Sequence, residues 1–118
     1  MRELDRVAAI LKPSEIMLAW INQHAESGDQ LALPEVQTDC TVILLPTFDD
    51  EDSAEAYLNE IYDDLFVSEL ASWYDDESLW PDNRSLDLFL QWFEVEFHSM
   101  VFDVADTVSH STREVTIQ

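Results

Sequence analysis

Residues 6–24, RVAAILKPSEIMLAWINQH, change hydrophobic period at a proline. Before it, Val7 to Leu11 is a continuous apolar run, which predicts a buried strand over 6–11 that turns at Lys12-Pro13. Pro13 suits the first turn of a helix, where its missing N–H costs nothing. Beyond it, Ile16, Met17, Trp20 and Ile21 recur at helical spacing, and His24 extends that face. Gly28, the only glycine in the chain, stands where a C-terminal cap belongs. Residues 29–39 are polar and irregular and read as a loop.

A second strand follows at CTVILLP, residues 40–46. Its unbroken apolar, β-branched character predicts burial on both faces, as in a sheet covered by helices. A strand, a helix and a strand in this order predict a right-handed parallel crossover.

The next segment, FDDEDSAEAYLNEIYDDLFVSELASWYDDE at 48–77, holds twelve Asp or Glu and no Lys or Arg. Asp49 or Asp50 is placed to cap a helix, and the acids after it favour the positive end of the helix dipole. Ala54, Tyr57, Leu58, Ile61, Tyr62, Leu65, Phe66, Leu70 and Trp73 form a wide apolar stripe along a helix over 50–72. Asp75-Asp76-Glu77 should end it, because negative charge is unfavourable at a helix C-terminus. SLWPDNR, 78–84, reads as a turn. Ser85 caps a shorter helix with Leu86, Phe89, Leu90 and Phe93 on one face, and VEFHSMVFDV, 95–104, reads as a third strand covered on both sides.

The expected fold is therefore a small α/β (or α+β) domain over residues 1–104. Its order is β-α-β-α-α-β, with a three-stranded, largely parallel or mixed sheet under helices. Residues 105–118 are expected to be a polar tail or a loose edge strand. The 118 residues suffice for one core, and 47% hydrophobic residues is too apolar for a disordered acidic chain.

Charge narrows the function. The net charge of -21 repels nucleic acid and anionic lipid, whose binding rests on Lys and Arg contacts to phosphate. Neither direct nucleic-acid binding nor membrane binding is expected. The lone cysteine, Cys40, makes no intrachain disulfide, and the N-terminus lacks a signal-peptide pattern, so the expected location is cytoplasmic.

Catalytic signals are weak. DDEDSAE, 49–55, has carboxylates but neither the central Gly nor the closing Glu of a calcium loop. Cys40 and His98 form a conceivable pair, but an activated thiolate needs a positive environment and Asp39 precedes this cysteine. His24 and His110 are isolated, and one glycine excludes the phosphate-loop patterns. No metal, cofactor or catalytic residue is expected; an enzyme centred on His98 with carboxylates is the rival class.

The strongest anomaly is the 71-residue stretch between Lys12 and Arg84, which has 18 acids and no Lys or Arg. Like-charged pairs such as Glu51 and Glu55, or Glu60 and Asp64, each cost about 0.2–0.5 kcal/mol on a helix. The expectation is an interaction protein of the inhibitor, immunity or nucleic-acid-mimic type. It would bind a basic protein partner through Asp63, Asp64, Asp75, Asp76 and Glu77, with Trp80 as an aromatic anchor. Acidity that serves only solubility is the third reading.

Overall fold

The predicted first strand is the spine of the sheet. β2 (Val7–Pro13) pairs antiparallel on one side with β3 (Thr41–Leu45) and on the other with β4 (Phe93–His98). A computed structural model describes residues 1–26 and 28–105. The remaining elements are β1 (Arg2–Glu3), α1 (Glu15–His24), α2 (Leu33–Val36), α3 (Glu51–Trp73), a 3₁₀ turn at Glu77–Leu79, α4 (Leu86–Trp92) and β5 (Phe102–Asp103). The observed order is β-β-α-α-β-α-α-β-β, in a mixed α+β domain. The expected tail over 105–118 lies, beyond Ala105, outside the described residues.

The parallel crossover is corrected by the chain between β2 and β3. One helix would return the chain to the start of β2 and make β3 parallel. Instead the segment after α1 doubles back along it. The Asn22 side chain donates to the Leu31 carbonyl and accepts from the Leu31 N–H, both at 2.9 Å. Gln37 then donates to the Pro13 carbonyl at 2.8 Å, so β3 starts beside the end of β2, with Thr41 opposite Leu11. These clamps lie in the segment read from sequence as an irregular loop.

Several boundaries move for local reasons. Pro13 ends β2 opposite Phe93 and does not open the helix. Ser14 caps α1, accepting from the Ile16 N–H at 3.2 Å. It also donates its hydroxyl to the Gln91 carbonyl at 2.7 Å and its N–H to the Trp92 carbonyl at 2.8 Å. The end of α4 is thereby tied to the start of α1. Gly28 does not cap α1, whose C-cap is Ala25; it adopts φ +94° in the turn that Asp29 closes by donating to Glu26 at 3.0 Å. Beyond β4, β1 and β5 pair briefly, Arg2 opposite Asp103. Between the two ladders Leu4–Val7 oppose 99–101, one residue more than their partners, which acts as a bulge.

The helices cover only one face of the sheet. Along β2, Val7, Ala9, Leu11 and Pro13 are buried while Ala8, Ile10 and Lys12 are partly exposed. Register places Val42 with Ile10 and Leu44 with Ala8 on the open face, where they are 55% and 53% exposed. The readings of 40–46 and 95–104 as strands covered on both sides are thus corrected. The runs are apolar, but none of the described helices reaches the second face. On β4 that face carries Glu94, Glu96 and His98, and these charges guard an exposed edge.

The core gathers at one end of the covered face. Leu11, Phe93, Met17, Trp20, Ile21, Val36, Phe66, Leu70, Phe89 and Trp92 form one buried cluster. Phe66 touches Phe89, Trp92 and Phe93 edge-on, with ring centroids 5.5, 5.4 and 6.0 Å away. Removing a cap and a tertiary tie together costs about 1–2 kcal/mol. Ser14→Ala should lower unfolding stability by about that amount in urea titration, whereas Phe66→Ala should cost about 3–5 kcal/mol.

Candidate functional site: the acidic helical layer

Seven carboxylates project from α3: Glu51, Asp52, Glu55, Glu60, Asp63, Asp64 and Glu69. The stripe expected in the core is there, with Leu58, Phe66 and Leu70 buried. Among the described residues, one cation reaches these seven acids. Arg84 donates from Nε to Asp63 Oδ1 at 2.8 Å. Arg84 also donates to the Pro81 carbonyl at 3.3 Å, and its own carbonyl accepts from the Tyr62 hydroxyl at 3.3 Å. It pins the 81–84 turn to α3. Asp63 beside it, with burial working in the opposite sense, raises the guanidinium pKa further.

The other described cations sit on or beside the strands. Arg2 pairs with Asp103 at 3.7 Å, and Lys12 with Glu94 and Glu96 at 3.4 and 3.7 Å. The Arg6 guanidinium donates to the neighbouring Asp5 carbonyl. Among the described residues charge is therefore polarised: apart from Arg84 the Lys and Arg side chains lie on or beside the strands, and most α3 carboxylates meet no cation.

The six residues singled out from sequence do not converge on one patch. Asp63 is engaged by Arg84. Asp64 is exposed on α3 and meets no cation among the described residues. Asp76 caps the 3₁₀ turn, accepting from the Ser78 N–H at 3.0 Å and hydroxyl at 2.7 Å. These bonds hold its carboxyl below the usual range. Asp75 and Glu77 are exposed beside it. Trp80 is half-buried and packs against the core, and its indole donates to the Tyr74 carbonyl at 2.8 Å. That ties it into the corner where the Trp20 indole donates to Leu79 at 2.8 Å and the Tyr74 hydroxyl to Ile21 at 2.7 Å. Much of the aromatic cluster around 73–97 is thus structural.

Two grooves that the sequence did not reveal flank the N-terminal half of α3. One, of about 640 Å³, lies between α3 and the start of α4, lined by Asp52, Glu55, Ala56, Asn59, Ser85, Leu86 and Asp87. The other, of about 450 Å³, lies between α3 and β4. Its floor is Ala54, Leu58, Leu90, Phe93, Val95 and Phe97, and its rim is Glu51, Glu55 and Glu94. Asp87 and Leu90 carried no sequence signal as site residues, because only packing brings α4 beside α3.

The catalytic pair is separated. Cys40 precedes β3 and His98 ends β4, with β2 between them. Their ladder positions differ by about four residues, or roughly 13 Å along the strands, plus two inter-strand steps of about 4.8 Å. Burial foremost, with Asp39 and Glu69 adding to it against Lys12, pushes the Cys40 thiol up. His98 instead bonds Glu96 at 2.8 Å on the open face. No group of three or more His, Cys, Asp or Glu is arranged to hold a metal ion among the described residues. None of the described helices is long and apolar enough to cross a membrane. Comparisons with protein-family models, curated proteins and solved structures return no match.

Two outcomes follow from this electrostatic layout. Arg84→Met should lower stability by about 0.5–1 kcal/mol, since the pair is only partly shielded from water. Asp50, the α3 cap, accepts from the Ser53 N–H at 2.8 Å and is held below the usual carboxylate range by that bond. A depressed pKa adds stability that is complete above the unfolded value and is lost as pH falls through the folded one. Asp50→Asn keeps a capping oxygen but cannot titrate. Its melting temperature should therefore fall less than that of the wild type between about pH 5 and pH 3.

Proposed function

We propose that the protein is an interaction module that binds a basic protein partner through its acidic helical layer. One observation carries this reading: of the seven carboxylates on α3, only Asp63 meets a cation among the described residues. Unneutralised like charge on a helix is unfavourable, and a cationic partner would relieve it. Such a field also steers encounter and speeds association at low ionic strength. Inhibitor, immunity and nucleic-acid-mimic proteins all use this chemistry. The carboxylates assigned to it are Asp52, Glu55, Glu60 and Asp64 on α3, Asp87 on α4, and Asp75, Asp76 and Glu77 after α3. Asp63 and Trp80 hold the scaffold beneath it.

Capture from the native cell at low salt, eluted by high salt, should recover a basic protein. Association of that protein should slow about tenfold or more when Asp75→Asn, Asp76→Asn and Glu77→Gln are combined with Glu60→Gln and Asp64→Asn. The salt dependence of its on-rate should flatten as well. Unchanged association kinetics would refute the reading. Acidity that serves only solubility would instead show as strong stabilisation by NaCl and MgCl₂ in thermal melts, with no basic protein captured.

A further inference from the structure

We propose that the trough between α3 and β4 seats a basic amphipathic helix of the partner; this rests on the basic-partner reading above and adds where and how the partner is held. The helical layer is incomplete there. α4 has seven residues and runs directly into β4, so it does not extend over the far half of the strand. Its inward residues Val95 and Phe97 are left with only part of a cover, and Phe97 and Leu90 are 41% and 43% exposed. Phe48 closes one end, its ring 6.4 Å from Phe97 and edge-on to it.

The size and chemistry of the trough specify the occupant. From Phe93 to Phe97 the floor runs about 13 Å, which is roughly two and a half turns of helix. Two or three Leu-like side chains at four-residue spacing fill that length. Glu51 and Glu55 stand on the α3 bank. A purely apolar helix would bury these carboxylates unpaired, whereas Lys or Arg on its flanks would pair with them. None of the described helices of a second copy supplies such a helix, because α1, α2, α3 and α4 contain no Lys or Arg.

The test uses a dye-labelled amphipathic peptide of Leu and Lys, about fourteen residues long, and its twin with Gln for Lys. Fluorescence anisotropy follows each against the full chain. The Lys peptide should bind, with affinity falling as NaCl rises, and the Gln peptide should bind about tenfold or more weaker. Leu90→Gln and Phe97→Gln, at half-exposed positions, should each weaken the Lys peptide about tenfold with unchanged melting temperature. If either destabilises the fold, Glu51→Gln with Glu55→Gln gives the second readout, weaker binding with a flatter salt dependence. Equal binding of the two peptides would overturn the charge pairing. Wild-type affinity in the Leu90, Phe97 and Glu51/Glu55 variants would overturn the trough but leave the acidic layer standing. Absence of Lys-peptide binding would likewise overturn the trough alone, because the partner's association kinetics test the layer independently.

Discussion

Phe66 is the contact on which the rest of the structure depends. Its fully buried ring meets Phe89 and Trp92 of α4 and Phe93 at the start of β4. One side chain thus joins the long helix, the short helix and the sheet. It does so in a molecule of net charge -21, whose self-repulsion opposes compaction. The apolar layer supplies the cohesion, since buried surface does not depend on the sign of the surface charge. The described residues contain no buried polar or charged residue, so carboxylates are excluded from the core and accumulate outside it.

The same packing explains where the surface is open. The core lies at the end of the sheet where α1, α4 and the second half of α3 converge. Toward the first half of α3 the layer thins to Leu58, and the trough between α3 and β4 begins. The open face of the sheet is a second consequence. All the described helices pack on one side, so one face of each apolar strand is left uncovered by them. Edge strand β4 carries Glu94, Glu96 and His98 on that face, whereas β3 carries Val42 and Leu44. The two edges are protected to different degrees.

Individual elements show how far the sequence could be read. The α3 stripe was legible because 23 residues repeat the helical period over six turns. Ser85 was legible as a cap from local pattern alone, and the α3 cap was narrowed to Asp49 or Asp50, of which Asp50 does the capping. The β2–β3 direction was not. It depends on Asn22 reaching Leu31 and Gln37 reaching Pro13, contacts between groups that no local pattern associates. The candidate site divides in the same way. The absence of cations along α3 was evident from composition, but the engagement of Asp63, Asp76 and Trp80 in the fold was not.

By itself the sequence determined α1, α3 and α4, the approximate positions of β2, β3 and β4, and the sign of the charge. Each of these is fixed by periodicity within a segment or by residue counts. The tertiary structure decided the strand directions, the uncovered face of the sheet, which carboxylates remain free, and the apolar trough with its acidic rim. Those depend on contacts between residues far apart in the chain. Arg84 shows the reason in a single case: 21 positions separate it from Asp63, and only the packing of α4 against α3 brings the two within 2.8 Å.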